Sequence, residues 1–178
     1  YYESCKHSDS PAMRDPNPVV ILYRGVGMFT FAKNKQTARV ASEFYLNAIN
    51  VMRGAEAISE YTALPRQEAF NIEYWLLEEA KLKRQPPEKP LSRRVALISG
   101  GGGGIGKAIA DRLVAEGAVV VLTDLVEDRV KEARETFGRD QAAYHAGDVT
   151  NAGAVQAAFD AAALAFGGVD IVVHSAGL

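Results

Sequence analysis

Between positions 99 and 106 the chain reads Ser99-Gly100-Gly101-Gly102-Gly103-Gly104-Ile105-Gly106. An apolar run, Val95-Ala96-Leu97-Ile98, precedes it, and an amphipathic run from Ile105 to Ala115 follows. Strand, glycine turn and helix in that order let a backbone come close to a ligand, because glycine carries no Cβ and tolerates positive φ. The helix start behind the turn offers unpaired N–H groups and a partial positive charge. Together these suit a pyrophosphate, held by Gly100, Gly104, Ile105 and Gly106 with Ser99 at the strand end. Gly101 to Lys107 also matches the opening of a G-x-x-x-x-G-K loop. That reading fails at Ala108, where a Ser or Thr hydroxyl must hold magnesium.

Asp124 closes the next strand. A carboxylate there accepts hydrogen bonds from both hydroxyls of an adenosine ribose and repels a 2′-phosphate, which favours NAD over NADP. The competing reading is a loop aspartate capping the next helix. Leu125 beside it is counted with the cofactor-binding residues. Asp148-Val149 follows a third strand, with Asp148 placed for the adenine amino group and Val149 for the ring face. Asp148, Thr150 and Asn151 are also rival N-caps for the following helix. Small residues after the fourth strand, Ser175, Ala176 and Gly177, let the backbone pass close to the cofactor ribose. Tyr2 and Lys6 spell Y-x-x-x-K, read as coincidence in a segment with little helical patterning. His7, His145 and His174 show no metal-ligand spacing, so no metal site is expected in this chain.

The elements that must position these residues divide at Gln85-Pro86-Pro87-Glu88-Lys89-Pro90, a stiff linker. Residues 1–84 form one expected domain and 91–178 another. In the first, Tyr1 to Pro18 reads as tail or loop. Val19–Tyr23 and Met28–Phe31 are strand candidates separated by Gly25 and Gly27. Lys35 to Arg53 reads as a helix with Val40, Phe44, Ala48 and Val51 on one face and Gly54 as its C-cap. A further helix is expected from about Arg66 to Arg84, with Ile72, Trp75, Leu76 and Ala80 sharing a face. Beyond the linker, strands and helices alternate: 95–99, 104–116, 118–122, 126–137, 141–146, 151–166 and 169–173. That alternation predicts a doubly wound parallel sheet, and the continuous apolar run Ala118–Leu122 predicts a strand buried on both faces.

Composition sets outer limits. The chain has 178 residues, 48% of them hydrophobic, enough for a packed core. Its 20 basic and 22 acidic residues give a net charge of −2, with no electrostatic case for nucleic acid or an anionic membrane surface. One cysteine, Cys5, excludes an internal disulfide framework. No apolar window is long enough to span a bilayer, and the first residues lack a signal-peptide core. A cytoplasmic protein acting on a small molecule is the expectation.

Residues 91–178 resemble the amino-terminal half of a short-chain dehydrogenase/reductase. The family pattern T-G-x-x-x-G-x-G falls on Ser99, Gly100, Gly104 and Gly106, its acidic residue on Asp124, its D-V pair on Asp148-Val149, and its N-N-A-G on His174-Ser175-Ala176-Gly177. Ser99 keeps the hydroxyl of the usual Thr. His174 and Ser175 depart from the Asn pair, whose sheet-bracing role is thereby unassigned. The first ninety residues are similar to the end of a class II aldolase domain, on Gly25–Phe29, Glu43–Ala55 and Ile72–Leu82. The resemblance is to a bifunctional family joining a rhamnulose-1-phosphate aldolase domain to such a dehydrogenase, with lactaldehyde as the linking metabolite.

The expected fold is thus α/β: half of a doubly wound parallel sheet of Rossmann, short-chain dehydrogenase type, preceded by the α+β end of a class II aldolase domain. The resemblance implies an NAD-dependent oxidoreductase, a homo-oligomeric parent and a place in rhamnose catabolism. It puts the catalytic Ser, Tyr and Lys beyond Leu178 and most of the aldolase zinc ligands upstream of Tyr1. Arg24-Gly25 stands where simpler class II aldolases have His-Gly. No catalytic residue is therefore assigned within this chain, which reads as an internal fragment across a domain junction. It is also expected to present an open apolar sheet edge. The rival reading is a nucleotide-binding, redox-sensing module without catalysis.

Overall fold

The structure is a computed structural model and describes residues 1–177. Leu178, the last residue of the expected second domain, lies outside the described residues. The chain forms two compact units: Tyr1–Phe31 with Val40–Pro87, and Ala32–Arg39 with the chain from Glu88 onward.

The first unit contains α1 (Tyr2–Cys5), β1 (Val20–Tyr23), β2 (Gly27–Thr30), α3 (Arg66–Glu73) and α4 (Leu76–Lys83), and most of α2 (Lys35–Ile58). β1 and β2 form an antiparallel hairpin, Val20 opposite Thr30 and Tyr23 opposite Gly27. Two expectations are corrected here. The first residues are not all loop, because Tyr2–Cys5 makes one helical turn that buries Cys5 against Phe70 and Tyr74. α2 does not stop at Gly54 but runs on to Ile58, since Gly54 does not take up the left-handed conformation that ends helices and Ala55-Glu56-Ala57 favour continuation. The face shared by Val40, Phe44 and Val51 is exposed, Phe44 at 73%.

The single helix expected over Arg66–Arg84 is two. Trp75 is extended (φ −64°, ψ 129°) and serves as the N-cap position of α4. Just before the break Tyr74 N–H still bonds the Phe70 carbonyl at 2.9 Å, and the two rings stack with centroids 4.6 Å apart, a pair worth about 1 kcal/mol beyond its buried area. Phe70 and Tyr74 are thus the buried residues of this segment, whereas Ile72, Trp75 and Leu76 are exposed.

The second unit contains β3 (Val95–Ser99), α5 (Gly104–Ala115), β4 (Val119–Asp124), α6 (Glu127–Glu135), β5 (Ala142–Ala146), α7 (Ala152–Phe166) and β6 (Ile171–His174). All four strands are parallel, in the order β5-β4-β3-β6. The chain therefore winds outward through β3, β4 and β5, then returns to the far side of β3. α5 and α6 cover one face, where Ile98, Val120, Leu122 and Val130 have no exposed surface. α7 covers the other, packing Ala158 and Ala162 onto Leu97 and Val121. Burying each large aliphatic side chain contributes about 2 kcal/mol. Asn151 starts α7 by accepting N–H bonds from Gly153 (2.8 Å) and Ala154 (3.1 Å). Gly167, at φ 93°, ends it. β6 is an edge strand of the sheet, and Val172 on it is 61% exposed.

Candidate nucleotide-binding site

β3 lies between β4 and β6, so its carboxyl end is the point where the strand order reverses, the usual position for a ligand crevice in open α/β sheets. The glycine turn leaves β3 there. Gly100 has φ 67°, and a Cβ on it would lie 2.9 Å from Ala176 N and Ser175 C. A Cβ on Gly106 would collide with the Gly100 carbonyl. Both glycines are therefore required by the protein's own packing. Gly104 is different: a Cβ there meets no atom within 4 Å. Its small size leaves open space at the first turn of α5.

That turn is unsatisfied. Gly103, the N-cap residue, makes no side-chain cap bond, and no acidic residue lies in the first turn. Lys107 N–H bonds back to Gly103 (2.9 Å), which leaves the N–H groups of Gly104, Ile105 and Gly106 without a helical acceptor. Ile105 is 75% exposed beside them. Lys107 turns away and pairs with Asp111 at 3.1 Å. The result is an open cluster of backbone donors at the positive end of a twelve-residue helix, suited to an anion.

Asp124 ends β4 and does two things. Its Oδ2 accepts the Gly102 N–H at 3.1 Å, and its Oδ1 accepts the Val126 N–H at 3.2 Å. The carboxylate thus ties the glycine turn to the start of α6 while remaining partly exposed. The bracing of Gly102 was missed in the sequence. Its signal is the glycine itself, because a Cβ at Gly102 would sit 2.9 Å from Arg129 Cβ and 3.1 Å from Asp124 Oδ2. Leu125 follows, 70% exposed.

Asp148 lies beyond β5. Its Oδ1 accepts the Thr150 N–H (2.8 Å) and hydroxyl (2.7 Å). Those two bonds, the backbone one first, hold its carboxyl below the usual aspartate range. Among the rival caps, Asn151 takes the role, and Thr150 instead serves Asp148. Asp148 and the half-exposed Val149 line a cleft of about 250 Å³ on the α7 side of the sheet, together with Ser99, Thr123, Val172 and His174.

Ser99 joins the cleft to the glycine turn. Its Oγ lies 2.9 Å from His174 Nδ1 and accepts the N–H groups of Ser175 and Ala176, each at 3.2 Å. Ser175 and Ala176 are thereby held over Gly100, with Gly177 exposed beyond them. The structure therefore gathers Ser99, Gly100, Gly106, Ser175 and Ala176 at one end of β3. Asp124 stands beside that group and Asp148 with Val149 at the cleft. The hydrogen bonds of Tyr2 and Lys6 go elsewhere: Tyr2 donates to the Pro11 carbonyl, and Lys6 pairs with Glu3 at 2.7 Å.

Comparison with known proteins matches two family models to different parts of the chain. Residues 1–82 match the family model for the class II aldolase second domain, and residues 94–178 match that for the short chain dehydrogenase. The chain thus carries an amino-terminal class II aldolase family region and a carboxyl-terminal short-chain dehydrogenase family region. It is 42% identical, over 99% of its length, to an uncharacterized oxidoreductase (YuxG) of Bacillus subtilis (strain 168), and covers 26% of that protein. A D-threitol dehydrogenase of Mycolicibacterium smegmatis is 41% identical over 49% of this chain and 35% of its own length. A 3-ketoacyl-(acyl-carrier-protein) reductase from Brucella melitensis, solved in complex with NADH, superposes with a TM-score of 0.45 at 38% identity. That match covers 46% of this chain and 34% of the reductase. The chain spans about a quarter to a third of the length of these proteins. No helix among the described residues is long and apolar enough to cross a membrane.

Proposed function

We propose that the second unit is the NAD-binding half of a short-chain dehydrogenase. The enzyme would act on a small sugar-derived alcohol or aldehyde such as lactaldehyde, in a protein that also carries a rhamnulose-1-phosphate aldolase domain. The observation that carries this reading is the first turn of α5. Three N–H groups lack acceptors there, and Gly104 is small although nothing in the protein requires it to be. Residue by residue, Gly104, Ile105 and Gly106 hold the pyrophosphate, and Ser99 with Gly100 shapes the turn. Asp124 and Leu125 face the adenosine ribose, Asp148 and Val149 the adenine, and Ser175, Ala176 and Gly177 the ribose on the other side. When bound, the nicotinamide supplies the hydride acceptor. Zinc belongs to the aldolase portion outside this chain.

Asp124 supports NAD over NADP, since a carboxylate next to a 2′-phosphate places like charges together. The experiment is a calorimetric titration of the full-length protein with NADH and NADPH, followed by an assay of NAD-dependent lactaldehyde turnover. Tight NADH binding with NADPH at least about tenfold weaker, a difference of roughly 1.4 kcal/mol, supports the reading. Equal affinity removes the role of Asp124, and no binding of either removes the site. Binding without turnover of any small alcohol or aldehyde favours a redox sensor instead.

A further inference from the structure

We propose that His174 is a positioning residue for the nucleotide turn. As a neutral imidazole it accepts the Ser99 hydroxyl and thereby fixes the Ser175–Ala176 backbone over Gly100. The proposal rests on the dinucleotide reading of the site but concerns a residue outside the ligand contacts assigned above.

A serine hydroxyl has one proton and two lone pairs. Ser99 Oγ accepts from Ser175 N–H, which is shared with the Ser99 carbonyl, and from Ala176 N–H. Both lone pairs are then used. The remaining proton goes to the third neighbour, His174 Nδ1, at 2.9 Å. This assigns the tautomer: Nδ1 bare and Nε2 protonated. Protonating the ring makes both nitrogens donors, so Nδ1–H would then face the Ser99 O–H. The hydroxyl must turn, and at least one of the two backbone N–H groups loses Ser99 Oγ as an acceptor, Ser175 N–H keeping its second bond to the Ser99 carbonyl. Those groups belong to the segment seated on Gly100, whose carbonyl in turn accepts the Gly103 N–H at 3.1 Å. The imidazole charge is thereby coupled to the geometry of the turn.

The surroundings leave few other titrating groups. Asp148 is the ionisable carboxylate lining the same cleft as His174, and the Thr150 bonds keep it ionised well into acid. Thr123 and Ser99 contribute hydroxyls. Asp124 ends β4 at Ala146 in register, tied to Gly102 and Val126. Asp170 precedes β6 at its opposite end and engages Arg94 and Val95. A second imidazole, His145 on β5, shares the register row through Thr123 and Ser99, two strands away from β3.

Two measurements test the proposal. The first needs no ligand: nitrogen-15 NMR of the histidine rings of the full-length protein between pH 5 and 8. The expected result is an unprotonated His174 Nδ1 at pH 8, with the Ser175 and Ala176 amide shifts following the His174 midpoint. A protonated Nδ1 at pH 8, or amides that ignore His174, overturns the proposal. The second is NADH affinity at pH 8 and pH 5.5. Wild type is expected to bind more weakly at the lower pH, by about fivefold or more if the coupling has the size usual between two linked sites. His174→Asn puts a non-titrating carbonyl oxygen at the same distance along the side chain as Nδ1, and its ratio should fall to within about twofold. His145→Asn should keep the wild-type ratio. An undiminished ratio in His174→Asn, or a ratio abolished by His145→Asn, overturns the proposal. Absence of NADH binding at every pH overturns the dinucleotide reading instead, and the ligand-free NMR arm still decides the role of His174.

Discussion

Gly104→Val places a branched side chain at the first position of α5, where the protein offers no neighbour within 4 Å. Folding should tolerate it, since valine is better than glycine in a helix by only about 0.3–0.5 kcal/mol. A shift of that size moves Tm by no more than about 2–4 °C. The ligand should not tolerate it. Hydrogen bonds from N–H groups to a charged acceptor are worth about 1.5–3 kcal/mol each. Displacing a pyrophosphate from two of the three donors, Gly104, Ile105 and Gly106, costs at least about 3 kcal/mol, or roughly a hundredfold in Kd. The assay is a calorimetric titration with NADH beside a thermal melt of the same sample. Gly106→Ala is the contrasting variant. Its Cβ collides with the Gly100 carbonyl, so it should lose Tm together with affinity. Unchanged NADH affinity in Gly104→Val would refute the placement of the pyrophosphate.

Asp124→Ala should both weaken NADH and narrow the preference over NADPH. Losing the acceptor of the Gly102 and Val126 N–H groups should also cost about 1–3 kcal/mol of stability, read by denaturant titration. A change in preference with no change in stability would mean that the two hydrogen bonds do not brace the turn. Asp148 has a folded-state pKa below its unfolded value, so its contribution to stability is present above the unfolded value of 3.8 and is lost as pH falls through the lowered folded one. Thr150→Val removes the hydroxyl bond and keeps the backbone bond. The Asp148 midpoint in carboxyl NMR should rise part of the way towards 3.8, and an unmoved midpoint would count against the hydroxyl's share. Ile98→Ala, at a position with no exposed surface, should lose about 3–4 kcal/mol. A loss under about 1 kcal/mol would show that the face packed by α5 and α6 collapses around the missing carbons.

The glycine turn and the alternating sheet were legible because both rest on short-range signals. Gly100 and Gly106 mark a close backbone approach, and the run Val119–Leu122 marks a strand with helices on both faces. What the sequence concealed depends on partners distant in the chain. The stacking of Phe70 on Tyr74 has ordinary i,i+4 helical spacing, but the extended backbone at Trp75 that splits the helix has no signal in the periodicity. The exposed face of α2 had the spacing of a buried one, and spacing alone does not say whether anything covers it. Asp124 was placed beside the ribose by its position after β4. Its bond to Gly102 needed the turn's three-dimensional path. Three residues competed to cap α7 on composition alone, and only the geometry separates Asn151 from Thr150 and Asp148.

The hub at Ser99 also carries a consequence for synthesis on the ribosome. Its partners His174, Ser175 and Ala176 lie 75 to 77 residues downstream. The ladder of β3, β4 and β5 can assemble as soon as Ala146 has emerged, but the glycine turn keeps one wall missing until β6 docks. Nascent chains ending before that point should hold a folded three-stranded core with no capacity to capture a nucleotide. Ligand competence is then gained only when β6 docks, later than the folding of the strands that precede it.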